Sequence, residues 1–296
     1  MKIAITGGSG FIGTNLSNLL KSQHDILILD RIPSKIQDVD FTECDLLDSK
    51  KLSDVLEGFD IVIHLAAAVG VKLTEEEPLH TLNLNIQGTQ NILESCKKNH
   101  VKKIIFASSS EIYGEAIHIP IKETDTPMPI TNYGVSKITG EEYVKAYSKA
   151  HSIKYSILRF FNAYGPGQSN SFVMSEFVFK AIANKTITIH GNGEQLRAFC
   201  HISDIVNGIS LCLDKGDNEI FNIGNNTEPV TIFELAKTIK KITNSKSEIT
   251  FLPFEDTERK RTSEIMKRIP DITKAQNILG YNPRISLNEG IKTILQ

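Results

Sequence analysis

Apolar residues in the first half of the chain fall into short compact runs separated by longer segments in which apolar and polar positions recur at helical spacing. The runs Lys2 to Thr6, Ile26 to Leu29, Ile61 to Leu65, Lys103 to Ala107 and Tyr155 to Arg159 are built largely from Ile, Val and Leu. Such runs predict strands covered on both faces. Between them the spacing predicts helices over Phe11 to Lys21, Lys50 to Leu56, Thr81 to Asn99 and Asn132 to His151, each able to cross over between parallel strands. Right-handed crossovers follow. The pattern is therefore α/β, a parallel sheet with helices on both faces.

After Gly165-Pro166-Gly167 the regularity loosens. A second region is predicted there, with a helix from Phe172 to Ala183, a strand from Thr186 to Ile189, a turn at Gly191-Asn192-Gly193, and helices over Ile202 to Leu213 and Ile232 to Ile242. No repeat or low-complexity stretch separates the two regions, so they should share one body. The length of 296 residues is enough for a full core without covalent staples.

Composition mainly excludes. Lys and Arg total 33 against 35 Asp and Glu, a net charge of −2, with no long basic run to meet a nucleic-acid backbone. Cys44, Cys96, Cys200 and Cys212 are scattered and lack metal-type spacing with histidine, so no metal site is expected and the thiols suit a reducing compartment. No eighteen apolar residues run together and no cleavable leader opens the chain. The expectation is a cytoplasmic protein without a membrane or nucleic-acid partner.

Thr6-Gly7-Gly8-Ser9-Gly10-Phe11-Ile12-Gly13 follows the first strand and opens the first helix. In that position Gly7 permits a tight turn, Gly10 lets backbone N–H groups reach a pyrophosphate, and Gly13 lets the helix approach the sheet. The positive end of the helix dipole faces the anion. Gly7, Gly10, Phe11, Ile12 and Gly13 are thus candidate contacts of a dinucleotide. Asp30 ends the second strand, where a carboxylate accepts from an adenosine ribose and repels a 2′-phosphate, favouring NAD over NADP. Arg31 follows and could soften that preference. Asp45-Leu46 is read either as an adenine contact or as a plain helix entry. Ala66, Ala67 and Ala68, at the end of the strand Ile61 to Leu65, would leave room for the nicotinamide half. His64 is read as a packed core histidine rather than a catalyst.

A second constellation lies further on. Ala107-Ser108-Ser109-Ser110-Glu111-Ile112-Tyr113-Gly114 follows a strand, and Tyr133 and Lys137 share one face at the start of the next helix. Oxidising a secondary alcohol needs a base for the hydroxyl proton, and a tyrosine serves only if its pKa falls well below about 10. A nearby ammonium and the nicotinamide's charge would supply that fall. A serine hydroxyl beside them would hold the same oxygen.

The runs TGGSGFIG, HLAA, NLNIQGT with Asn85, SSSEIYG, YGVSK and RFFNAYGPG resemble the extended short-chain dehydrogenase/reductases of the NAD-dependent epimerase/dehydratase family, over nearly the whole chain. Gly191 to Phe199, His201 to Asp204, Phe221 to Gly224, Pro270 to Ala275 and Leu279 to Tyr281 also fit. The resemblance implies a Rossmann doubly wound parallel sheet, about 1–167 with part of 195–225 on it, and a smaller C-terminal substrate domain, mainly 168–296. It implies a nucleoside-diphosphate sugar between them. It makes Tyr133 the base, Lys137 its partner, Ser109 the hydroxyl that holds the sugar oxygen with Ser110 beside it, Asn85 a cofactor-side residue, and Asn162 and Arg197 contacts of the substrate diphosphate. An ion pair is the alternative for Arg197.

Relatives of this kind oxidise carbon 4 of the sugar. Rotation and reduction of the ketone give a 4-epimer, whereas loss of the carbon-5 proton lets water leave from carbon 6. Glu111 argues for chemistry at carbon 5, since several dehydratases and UDP-glucuronate decarboxylases carry glutamate there. Ser110 argues against, because dTDP-glucose dehydratases carry aspartate, and the segment after Gly167 lacks their longer insertions. The resulting expectation is a 4-epimerase. A 4,6-dehydratase stands next, then a decarboxylase or 4-keto reductase, then a non-catalytic NAD-binding sensor. Leu82, Ile86, Ile92 and Leu93, with Tyr143, Val144 and Tyr147, are read either as a homodimer's helix pair or as core. Nucleotide and sugar selection is expected from loops around Val69 to Leu73, Phe172 to Phe177 and Thr186 to Ile189.

Overall fold

A computed structural model describes residues 1–70, 74, 76–254 and 264–295. Strands Lys2–Thr6 (β1), Asp25–Asp30 (β2), Asp40–Glu43 (β3), Ile61–His64 (β4), Lys103–Ser109 (β5) and Lys154–Phe160 (β6) join Glu219–Ile223 in a seven-stranded sheet. The order is Glu219–Ile223, β6, β5, β4, β1, β2, β3, and every pair is parallel. Strand order reverses about β1, so a crevice opens beyond the carboxyl ends of β1 and β4, where open α/β sheets take ligands.

Helices cover both faces. One face packs Ile3, Ile5 and Ile28 against Leu16 of the helix Phe11–Leu20 and against Ile202, Ile205 and Ile209 of the helix Ile202–Leu211. The other packs Ala4, Val62 and Ile104 against Leu52, Ile92, Leu93 and Val144, from helices Ser49–Val55, Pro78–Lys98 and Asn132–His151. Burial on both sides explains why these strands read as unbroken Ile/Val/Leu runs.

A separate core gathers Met174, Phe177 and Val178 with Ile187, Ile189, Leu235, Ile239 and Ile291. It is framed by helices Val173–Ile182, Ile232–Ile242 and Leu287–Ile294, and by strands Ile187–His190 and Ile249–Leu252, which pair in parallel. The chain does not pass cleanly from one core to the other: Ile272, Ala275, Leu279 and Tyr281, near the C-terminus, return to the first.

Several boundaries differ from the sequence reading. The strand read as Ile61 to Leu65 ends at His64, so Ala66, Ala67 and Ala68 lie in the loop beyond it. The helix read as Thr81 to Asn99 begins a turn earlier, at Pro78, whose fixed φ suits a first helical position. Asp40–Glu43 was not expected as a strand, since Asp-Phe-Thr-Glu carries a single apolar residue and only pairing to β2 makes it one. Of the selecting loop expected over 69–73, only Val69 and Gly70 lie within the described residues. Among the described residues no helix is long and apolar enough to cross a membrane, and no group of His, Cys, Asp and Glu is placed to hold a metal. The four cysteines are free and buried.

Candidate active site

The glycine loop is shaped by contacts that leave no room for side chains. Gly7 has φ 70°, and a Cβ there would lie 2.7 Å from the Ala66 nitrogen. A Cβ on Gly13 would lie 2.3 Å from the Gly7 carbonyl oxygen. Gly10, exposed at the helix N-cap, brings no capping side chain and bonds its own N–H to Gly7 O at 3.1 Å. The first turn at Phe11, Ile12 and Gly13 therefore presents backbone N–H groups and the positive dipole end at the carboxyl edge of β1. This cradle fits a pyrophosphate.

Asp30, half-buried at the end of β2, accepts from the N–H of Ser9 and of Ile32, each at 3.1 Å, which ties the loop to the neighbouring strand. Arg31 is exposed and lies 3.7 Å from Asp45 Oδ2, so it already has a carboxylate partner. Asp45 Oδ1 accepts from Leu47 N–H, but Asp48, not Asp45, caps the helix Ser49–Val55. Leu46 is buried, and a Cβ on Gly88 would touch it at 2.9 Å, so its side chain packs against the helix Pro78–Lys98. Ala66 and Ala67 are half-exposed beside Gly7, and Ala68 is buried under the amide of Asn85.

The catalytic candidates converge at the end of β5. Thr131 caps the helix Asn132–His151, accepting from Gly134 N–H at 3.0 Å while donating to Glu111 Oε2 at 2.9 Å. This one side chain starts the helix that carries Tyr133 and orients Glu111. Tyr133 hydrogen-bonds Ser109. Lys137 is buried; its Nζ donates to Ala107 O at 2.8 Å and stands 5.7 Å from the Tyr133 ring centre. Ser110 is buried in the short 3-10 turn Ser110–Tyr113.

Burial pushes the Tyr133 phenol up, the Glu111 charge pushes the same way, and Ser109 and Arg268 oppose them. The lowering that the sequence suggested is thus not supplied by the chain's own groups. NAD, when bound, brings a positive charge acting in the opposite direction. Burial also lowers the Lys137 ammonium to about 8, with Glu141 opposing.

Two features escaped the sequence reading. Glu141, fully buried one turn beyond Lys137, accepts from Arg159 Nε and Nη2 at 3.0 and 2.7 Å and from Ser108 Oγ at 2.5 Å. The periodic set Tyr133, Lys137, Glu141 was the available signal. Arg268 lies 3.7 Å from Glu111 Oε1, its side chain 15% exposed, and among the described residues its Nε has no hydrogen-bond partner. It arrives on the two-residue strand Lys267–Arg268, paired in parallel with Leu196–Ala198 so that Arg268 sits beside Arg197. Nothing local in the sequence announces that pairing. Arg197 itself is buried and paired with Glu264 at 2.6 Å, its Nη1 donating to Leu196 O at 3.1 Å. Nearby Asn162, at φ 38°, donates to Ala198 O at 3.1 Å.

Comparison with known proteins gives the family. The model of the NAD dependent epimerase/dehydratase family matches residues 3–224. The chain belongs to that family. It is thereby an enzyme with NAD as cofactor, of a family of nucleotide-sugar epimerases, dehydratases and decarboxylases. It is 33% identical to a UDP-N-acetyl-alpha-D-glucosaminuronate decarboxylase of Bacillus cytotoxicus, over 99% of this chain and 96% of that one. It is also similar to the crystal structure of a UDP-glucose 4-epimerase from Thermotoga maritima with UDP-glucose, at TM-score 0.94 and 33% identity, covering 100% and 98% of the two chains. A third likeness is to MoeE5 in complex with UDP-glucuronic acid and NAD, at TM-score 0.91 and 30% identity, covering 99% and 97%.

Proposed function

We propose that this family member is a nucleotide-sugar 4-epimerase. Tyr133 takes the proton of the sugar 4-hydroxyl and returns it once the sugar has turned its other face, Ser109 holds that oxygen, and Lys137 supplies positive charge beneath the phenol. NAD supplies the site that accepts and gives back the hydride. Gly7, Gly10, Phe11, Ile12, Gly13 and Asp30 hold it, with Asp45, Leu46, Ala66, Ala67 and Asn85 alongside. Asn162 and Arg197 take the substrate diphosphate, for which an arginine fork is suited.

The observation that carries epimerisation over dehydration is the state of Glu111. One oxygen accepts from Thr131 and the other lies 3.7 Å from the Arg268 guanidinium, so a hydrogen bond and a neighbouring positive charge both oppose its use as the base that removes the carbon-5 proton. Purified protein with NAD and a panel of UDP-, dTDP-, GDP- and CDP-sugars tests this. The expected product has unchanged mass and inverted configuration at carbon 4 by NMR. Loss of water from a good substrate would overturn the reading in favour of a dehydratase, and Glu111→Gln should then abolish it, whereas an epimerase keeps most of its rate.

A second reading, decarboxylation of a uronic-acid nucleotide sugar, is favoured by Arg268, a half-buried guanidinium beside Glu111 whose Nε has no hydrogen-bond partner among the described residues and which is suited to a sugar carboxylate. Release of carbon dioxide from a UDP-uronate distinguishes it. Absence of turnover with every sugar, despite NAD binding, would point to a sensor.

The homodimer remains a proposal with fewer residues behind it. Ile92, Leu93 and Val144 lie in the core, leaving the half-buried Leu82 and Ile86 for a partner helix pair. Sedimentation equilibrium checks it. The four free thiols support a reducing, cytoplasmic setting.

A further inference from the structure

Beneath the cradle and the catalytic helix runs a line of buried hydrogen bonds that the proton transfer at Tyr133 does not use. At one end, Ala66 N–H donates to Thr6 Oγ1 at 3.3 Å, which leaves the Thr6 hydroxyl proton to be given to His64 Nδ1 at 2.7 Å. At the other end, the Thr89 hydroxyl gives its proton to Asn85 O at 2.7 Å and so meets His64 Nε2, at 3.2 Å, as an acceptor. The Thr89 end requires Nε2 to carry the hydrogen, and the Thr6 hydroxyl, which still has its own proton to give, then donates to an accepting Nδ1. Thr6, His64 and Thr89 are at most 2% exposed, so no water competes for these positions.

The line continues upward. Asn85 Oδ1 accepts from Ala68 N–H at 2.7 Å, while its Nδ2 donates to Ala68 O at 3.2 Å and to Ser136 Oγ at 2.9 Å. Ser136 Oγ in turn donates to the Tyr133 carbonyl at 2.8 Å. Asn85 thereby clamps both the loop after β4, which borders the glycine turn, and the head of the helix that carries Tyr133 and Lys137. Its own backbone carbonyl accepts from Thr89 Oγ1, which His64 Nε2 in turn holds from below.

We propose that His64 is a positioning residue: as the neutral Nε2–H tautomer it fixes Asn85, so that the cofactor-side loop Ala66 to Ala68 and the catalytic tyrosine keep one register. This rests on the reading of Tyr133 as the redox base, although its first test does not. The Lys137 ammonium faces the ring from the catalytic helix, the Phe106 ring packs 5.8 Å away, and burial with that ammonium keeps the imidazole neutral.

The first test is NMR of 15N-histidine-labelled protein. The expected His64 pattern is a single neutral Nε2–H ring that does not change between about pH 5.5 and 8, across the usual imidazole range near 6.5. An Nδ1–H ring, or a titration in that range, overturns the proposal whatever the substrate proves to be. The second test is kinetic. His64→Phe keeps the aromatic volume and removes both of its bonds, and Thr89→Val removes the bond to His64 Nε2 together with the one to Asn85 O. Each is expected to lower kcat about tenfold and raise the KM for NAD, consistent with a net buried hydrogen bond of about 1–1.5 kcal/mol. Thr89→Ser should restore the rate, and the double variant should be no slower than the slower single. A lowered melting temperature with kcat intact, or independent additive losses, overturns it. Should His64→Phe fail to fold, the Thr89→Val and Thr89→Ser pair decides alone.

Discussion

The glycine cradle and the arginine-bearing end of the site are held in place by different physics. At the cradle, position is a matter of exclusion: backbone meets backbone so closely that no Cβ fits, at Gly13 against Gly7 and Gly8 of the same turn and at Gly7 against Ala66 of the loop after β4. At the other end, Arg197 and Arg268 are long side chains brought side by side from residues far apart in sequence, placed by a two-residue strand pairing and by carboxylates at Glu264 and Glu111. A site fixed by sterics tolerates almost no substitution but needs no partner. One fixed by ion pairs tolerates changes of shape, yet each charge depends on another residue remaining.

Substitutions should separate the two regions. Tyr133→Phe, which stands between them, should lower kcat by about 10²- to 10⁴-fold while both NAD and sugar-nucleotide binding persist. Loss of either binding constant in that variant, measured by calorimetry, would mean that the tyrosine also builds one of the regions. Gly13→Ala should weaken NAD binding by roughly 10- to 100-fold, corresponding to about 1–3 kcal/mol of overpacking, with a lower melting temperature. If NAD titration gives unchanged affinity, the cradle is softer than its 2.3 Å clearance implies.

Arg197→Met should raise the KM for the sugar nucleotide by about tenfold, as loss of a charge-assisted hydrogen bond requires, and leave NAD affinity alone. A fall in NAD affinity would break the separation. The smallest effect is on acid stability. Burial lowers His64 to about 3, below its ordinary 6.5, so the unfolded chain takes up this proton first. Stability contributed here is complete above pH 6.5 and declines as pH falls toward about 3, by roughly 1.4 kcal/mol per unit. Urea melts of the parent and His64→Phe at pH 7 and 5.5 should therefore show a flatter dependence in the variant.

The same contrast explains what could be read without coordinates. The cradle was legible because the signals for it are local: a strand, three glycines at fixed spacing and a helix start all lie within Lys2 to Gly13. Tyr133 and Lys137 were legible because four residues along a helix is one face. Glu141 continues that face and could have been found, but its partner Arg159 sits on β6 and only folding brings them together. Arg268 was illegible because its pairing partner lies on the strand Leu196–Ala198. Arg31 and Arg197 were read as contacts of cofactor and substrate, and the carboxylates that engage them, Asp45 and Glu264, follow from tertiary proximity alone.

By itself the sequence determined the parallel sheet, the dinucleotide cradle and the tyrosine–lysine pair, because each rests on periodicity or sterics acting over a few neighbouring residues. The tertiary structure alone decided that Thr131 and Arg268 flank the Glu111 carboxylate and that His64 stands between two threonines. Hydrogen bonds and ion pairs act over about 3 to 4 Å, and no spacing along the chain states which distant residues will come that close.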